Sequence, residues 1–253
     1  MIFANPMEWV LEMNIFPLFT TIVAGVFTLA LYKQYQERKK LHQLLWTLAM
    51  LFYAVAALME FLMNGDLFGP TVWAFKVYYV LSAPLVGMLG AGVMYLLVDK
   101  RKADIFTGVI SLLSLALLVT GIFHPIDQTT LIDAINGPLG EAFHEAMHAY
   151  SMDVRRYAIV INIIGGTTLI LGAVYSFIRD RRRTYNFFFV IGGLLPALGG
   201  TLMGIFGDPN LFFEFELLGT IFLYVGFVYS DRFIKDMEEK IAKRLSADPK
   251  LAE

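Results

Sequence analysis

A bundle of seven transmembrane helices, with the N-terminus outside and the C-terminus in the cytoplasm, is the fold class this sequence predicts. Three observations predict it. The 253 residues are 57% hydrophobic and 17% charged, with a mean hydropathy of +0.62, against about 45–50% and about 25% in soluble domains. Seven stretches are long and apolar enough for the roughly 20 residues that a helix needs to cross a bilayer. Seventeen of the twenty Lys and Arg residues fall on one side of those stretches, and cytoplasmic loops are the ones that collect them.

The first span runs from Met13 to Tyr32 without a charge, and the second from Leu41 to Glu60. The third covers Val77 to Val98, with Lys76 just before it, and the fourth covers Ile105 to Phe123. The fifth is Tyr157 to Ile178 and the sixth Tyr185 to Phe206. The seventh, Leu211 to Ser230, carries Glu214 and Glu216 in its first turns. Together they make a transmembrane domain over residues 1–231, followed by a cytoplasmic tail over 232–253. In the tail Phe233, Ile234, Met237, Ile241 and Leu245 line one face of an amphipathic helix. That helix is suited to lie on the membrane or to pair with a second copy or a partner helix.

Orientation rests on the connections KQYQERKK, DKRK and RDRRR and on the tail, which are basic and therefore inside. An odd number of spans leaves the N-terminus outside. The opposite side holds Lys76, Arg155 and Arg156 against twelve acidic residues, a formal charge of −9 against +7 inside. A negative outer face concentrates cations; the topology bias alone also strips Lys and Arg from it. The expected location is the cell membrane, with lipid as the first partner. Net charge is only −2, so no nucleic-acid partner is expected. Cysteine is absent, which excludes disulfides, thiolate metal sites and a cysteine nucleophile. The first residues, with Glu8 and Glu12 and no basic stretch, do not read as a cleaved signal peptide.

Small residues mark helix contacts where lipid supplies no hydrophobic drive. Gly87 with Ala91, and Gly200 with Gly204, have that spacing. Pro17, Pro84 and Pro196 lie within spans, where they can kink a helix.

Two constellations carry candidate chemistry. His144-Glu145-Ala146-Met147-His148 matches H-E-x-x-H, which on a helix turns two imidazoles to one face for zinc with the Glu as general base. It falls in an outer amphipathic helix expected over about 138–153, where both histidines share the polar side. That arrangement equally suits a helix lying at the interface. A metal there, zinc or another divalent cation, needs a further ligand, and His124, Asp127 and Asp153 are on hand.

The second constellation is the set of charges at the outer ends of the spans: Glu60, Lys76, Glu214 and Glu216. Ionisable groups in a membrane segment face the bundle interior and mark function, or sit at headgroup depth and reach water. Glu214 and Glu216 point to different faces, and Glu216 is the deeper. Lys76 is placed to pair with Glu60 or Glu216. Asn162 and the Tyr78–Tyr79 pair are further candidate lining groups. Span seven contains no lysine, which disfavours a retinal Schiff base.

The stretches YYVLSAPLVGMLGAGVMYLL, INIIGGTTLILGAVYSF, IGGLLPALGGTLMG and ELLGTIFLYVGF resemble uncharacterised prokaryotic seven-helix membrane proteins. They are also similar to the membrane sensor modules of some prokaryotic histidine kinases. The resemblance implies a receptor-like bundle that senses a ligand and supplies no catalytic residue. This chain departs from it in having no kinase after span seven.

Sensing or small-ligand or cation binding in an outer vestibule is therefore the first functional expectation, with no attached enzyme domain. A transporter or channel for a cation or small solute, and a metal-dependent hydrolase built on the HEAMH segment, are the alternatives.

Overall fold

The computed structural model describes residues 15–63, 71–131, 147–181, 183–206 and 209–247. For 147, 204, 209 and 233–247 it describes the backbone alone. Seven long helices account for almost all of these residues: α1 (Phe16–Arg38), α2 (Leu41–Met63), α3 (Val72–Leu97), α4 (Lys100–Phe123), α5 (Met152–Arg179), α6 (Tyr185–Phe206) and α7 (Pro209–Ala247). All seven are long and apolar enough to cross a membrane. They coincide with the seven expected spans, and α3, α4 and α5 begin about a turn earlier. No strand occurs among the described residues.

The helices alternate in direction, which gives the bundle two ends. The basic end holds the α1–α2, α3–α4 and α5–α6 turns. The acidic end holds the start of α1 and the α2–α3, α4–α5 and α6–α7 connections. Neighbouring helices pack in the order α1, α2, α3, α5, α6, α7 and back to α1, so six helices close a ring. Helix α4 stands outside it, against α3 and α5. The sequence of α4 explains its place, since only Ala103, Ile110, Leu117 and Gly121 are buried. They form one narrow stripe at near-heptad spacing. The other faces expose large apolar side chains such as Ile105, Leu112 and Phe123, as lipid contact requires.

Because α4 lies outside, α3 and α5 run parallel and touch directly, through glycine. A Cβ placed on Gly165 would lie 2.7 Å from the Gly87 Cα and 2.7 Å from the Val86 carbonyl oxygen. One placed on Gly90 would lie 2.6 Å from the Gly165 carbonyl oxygen. Gly87 and Ala91 are both buried, and Gly87 is part of this seam.

The α6–α7 crossing uses different residues from those expected. Gly192 meets the Leu223 amide and the Gly219 carbonyl, and Gly219 receives the Pro196 ring. A Cβ at Gly200 would have only Phe212 near it, at 3.8 Å. The spacing predicted small residues on α6 but not which stripe of them turns inward. Pro84 and Pro196 lie inside helices that continue past them. Pro17 is in the first turn of α1, where its missing N–H costs nothing, so it kinks nothing.

Of the amphipathic helix expected over about 138–153, residues 132–146 lie outside the described residues. Beyond them the chain makes a single 3₁₀ turn, Met147–Ala149, that ends before α5 begins. The tail expected to continue span seven does so, as α7 runs unbroken to Ala247.

Candidate functional site

Glu60 lies near the end of α2 and Glu216 in the second turn of α7. Within the ring they face one another. Glu60 is 1% exposed and Glu216 6%. Their carboxyl groups come within interacting distance of each other. Tyr78 of α3 adds its hydroxyl to Glu60, and Tyr53 of α2 adds its own to Glu216.

Helical spacing sets this arrangement. Tyr53 and Glu60 are seven apart on α2, and Glu216 and Thr220 are four apart on α7, so each pair shares a face. The Thr220 hydroxyl donates to the Glu216 carbonyl at 2.9 Å, and the Tyr53 hydroxyl reaches the same oxygen at 3.5 Å.

Two properties set the site apart. First, two ionised carboxylates only accept, so side by side in a buried site they call for a proton on one of them or a small cation between them. Second, the cluster is not satisfied within the protein. One oxygen of each carboxyl group, Oε2 in both, is buried without a hydrogen-bond partner. So is the hydroxyl of Thr20, fully buried on α1 and at the same depth by helix register. Buried polar groups left unpaired are uncommon, and each costs about 1–3 kcal/mol.

Aromatic side chains cluster at this end, between α3 and the turn before α5. The Phe75 and Tyr150 rings stack at 5.7 Å, and Tyr79 lies 4.7 Å from Tyr150. Tyr150 arrives from the 3₁₀ turn and donates its hydroxyl to the Gly121 carbonyl at 2.5 Å. Burial holds its phenol protonated well above the usual tyrosine range, and the neighbouring Tyr79 adds to the shift. Asp127 N–H donates to the Ala149 carbonyl, which ties the same turn to the end of α4. The Asp127 carboxylate in turn caps the residues after it, accepting from the Thr129 and Thr130 hydroxyls and backbone amides. Those bonds, the Thr129 hydroxyl first, lower its pKa to about 2.

The other expected site residues go elsewhere. Lys76 pairs with neither glutamate. Its Nζ donates to the carbonyls of Ile122 and His124, at 2.7 and 3.0 Å, at the C-terminal end of α4. A cation there meets the unpaired carbonyls and the negative end of the helix dipole, so Lys76 anchors α4 to α3. Glu214 is only half-buried, and the two-residue step carries it to another face from Glu216. Asn162 is exposed on the outside of α5 and lines nothing. Of the walls expected for an outer vestibule, Glu60 and Glu216 come together, Lys76 turns to α4 instead, and residues 138–146 lie outside the described residues.

His144 and Glu145 lie outside the described residues. His124 bonds the Pro125 carbonyl through Nδ1 and the Ser151 hydroxyl through Nε2, which engages both ring nitrogens. The Arg155 guanidinium donates to His148 Nδ1 at 3.0 Å. Among the described residues no group of three or more metal-ligating side chains occurs.

Sequence reasoning located Glu60 and Glu216 but missed Tyr53, Thr220 and Thr20. The signal for Tyr53 was its seven-residue spacing from Glu60 on one helix face. No protein-family model, curated protein or solved structure matches the chain.

Proposed function

We propose that this chain is a multi-pass membrane sensor, its acidic end outside, that binds a small cation at the Glu60–Glu216 pair. The observation that carries the reading is the pair itself: two carboxyl groups sealed inside a membrane-type bundle, each with an oxygen unpaired. Ionisable groups in such a place are costly and mark function. Two adjacent negative charges in a dry interior need a positive partner, since each uncompensated ion costs on the order of several kcal/mol. A proton or one small metal cation supplies it.

A route to the other side runs along α7. The helix is continuous over 39 residues, from Pro209 to Ala247. A shift at Glu216 on gain or loss of the cation is carried along about 47 Å of rigid helix to the tail. Transport is the weaker reading, because between the pair and the basic end Met50, Leu85, Leu89 and Leu223 offer only apolar side chains.

The test uses purified protein in detergent. Thermal unfolding is followed against pH and against Na⁺, K⁺, Mg²⁺ and Ca²⁺, and the pH and metal series separate the two kinds of cation. A dependence present in the wild type and lost in E60Q/E216Q supports the proposal; an identical profile in both overturns it. The chain has no native cysteine, so a fluorophore on S246C reports whether the tail responds to the same cation. Cation flux into liposomes above background would favour transport instead.

A further inference from the structure

We infer that the basic end of the ring is a second binding site, for a phosphate-type anion that carries a hydroxyl, either free or as the headgroup of a lipid. A cavity of about 260 Å³ lies there, just below the size range of drug-sized ligand pockets, roughly 300–1,000 Å³. All six ring helices line it and α4 does not, so it is the ring's own lumen. Its Gln43 lies about 26 Å along α2 from Glu60, 17 residues away, while its inner wall at Leu223 is seven residues, about 10 Å, along α7 from Glu216. No residue of the carboxyl pair lines it.

Its chemistry is divided. Toward the centre of the bundle the wall is apolar and aromatic, including Phe27, Trp46, Leu89 and Phe227. The Trp46 indole is fixed in that wall by its N–H bond to the Leu89 carbonyl at 3.1 Å. Toward the end of the bundle the lining carries Arg38 and Arg183 and no carboxylate. Arg38 is paired with Asp231 at 3.3 Å and Arg183 with Asp180 at 3.5 Å. Both acids stand outside the lining. A guanidinium has five N–H donors in a fork suited to phosphate or carboxylate, so an ion pair does not exhaust it.

Gln43 narrows the ligand further. It is 1% exposed, it lines the cavity, and its side-chain oxygen has no partner in the protein. An amide oxygen accepts, so the ligand must bring an O–H or N–H to it. An anion for the arginines and a donor for Gln43 describe a phosphate that carries a hydroxyl, either free or as the headgroup of a lysolipid whose chain lies on the aromatic wall.

Fluorescence of Trp46 tests this in a W9F/W73F protein, in which Trp46 is the sole tryptophan. The titrants are lysophosphatidylglycerol, inorganic phosphate and, as the zwitterionic control, lysophosphatidylcholine. A saturable change with lysophosphatidylglycerol, at least tenfold weaker with the control, supports the site with a lipid occupant. Saturation by inorganic phosphate supports it with a soluble one. Arg183 lies between α5 and α6 and is half-exposed, so R183Q leaves the helix packing intact. It should weaken binding about tenfold or more, the worth of a charge-assisted bond. Q43L, which removes the acceptor for the ligand's O–H, should weaken whichever of the two anions binds. No saturable change with either anion, equal responses to the two lysolipids, or unaltered binding in R183Q each overturns the inference. Because none of these residues belongs to the carboxyl pair, this site and the cation site can fail separately.

Discussion

At the acidic end of the ring α2 and α7 meet through Glu60 and Glu216, with a cluster of Phe75, Tyr79 and Tyr150 at the same end, whereas at the basic end the same two helices flank a cavity of about 260 Å³. Side-chain size at the lumen-facing positions makes the difference. Tyr53, Tyr78 and Phe213 fill the acidic end. Gly172, Ala173, Ser176 and Ser230 leave room at the basic end. Both ends carry unpaired buried polar atoms, carboxyl oxygens at one and an amide oxygen at the other. The acidic end thus suits a bare cation that needs no space. The basic end suits a molecule that needs both space and a donor for Gln43.

The largest effect should come from the framework that holds the two ends in register. In G165L the new side chain would collide with backbone on α3, which cannot rotate away, so a loss of about 3 kcal/mol or more is expected. G200L, where the nearest atom is a ring carbon at 3.8 Å, should unfold thermally like the wild type. Equal losses in the two variants would break the assignment of the seams.

Next in size is the pair. E60L leaves the Glu216 carboxyl buried without its partner, a cost of about 1–3 kcal/mol. E60L/E216L removes both polar groups and should recover most of that loss. A double-mutant cycle on thermal stability measures the recovery. Simple additivity would mean that the two carboxyl groups do not interact.

Smaller effects belong to the aromatic cluster and the α4 anchor. Y150F loses the bond to the Gly121 carbonyl and should cost about 1 kcal/mol in denaturant unfolding. K76M should cost about 0.3–1 kcal/mol by removing a cation from a helix C-terminus. It should leave cation binding unchanged, because Lys76 does not touch the pair.

The smallest concerns Asp127. Its carboxyl pKa in the fold is about 2, against an ordinary 3.8. A lowered folded value gives a contribution that is present above the ordinary value and lost as pH falls toward 2. Hydrogen exchange in residues 128–131 should therefore accelerate in wild type relative to D127N as the pH drops through that window. A constant ratio would show that the cap does not order the turn.

The residues themselves carried a good deal of this. Seven apolar runs of spanning length dictate seven helices, because in lipid a helix satisfies its backbone internally. Glu216 was legible as the deeper of two glutamates because a two-residue step on a helix turns side chains to different faces. Lys76 was misread because its partners are main-chain carbonyls of α4, and main-chain groups leave no mark in a sequence. Asn162 was misread because its helix turns that face away from the ring.

The number of spanning helices, their starting points to within about five residues and the segregation of charge to two ends were determined by sequence alone, since hydrophobic length and basic content are local properties. Which helices touch, that α4 stands outside the ring, that Glu60 meets Glu216, and that one end closes while the other encloses a cavity were decided by tertiary structure. Those are contacts between residues tens to more than a hundred positions apart. They depend on which glycine stripes let two backbones approach and on how the remaining side-chain volumes fill the lumen.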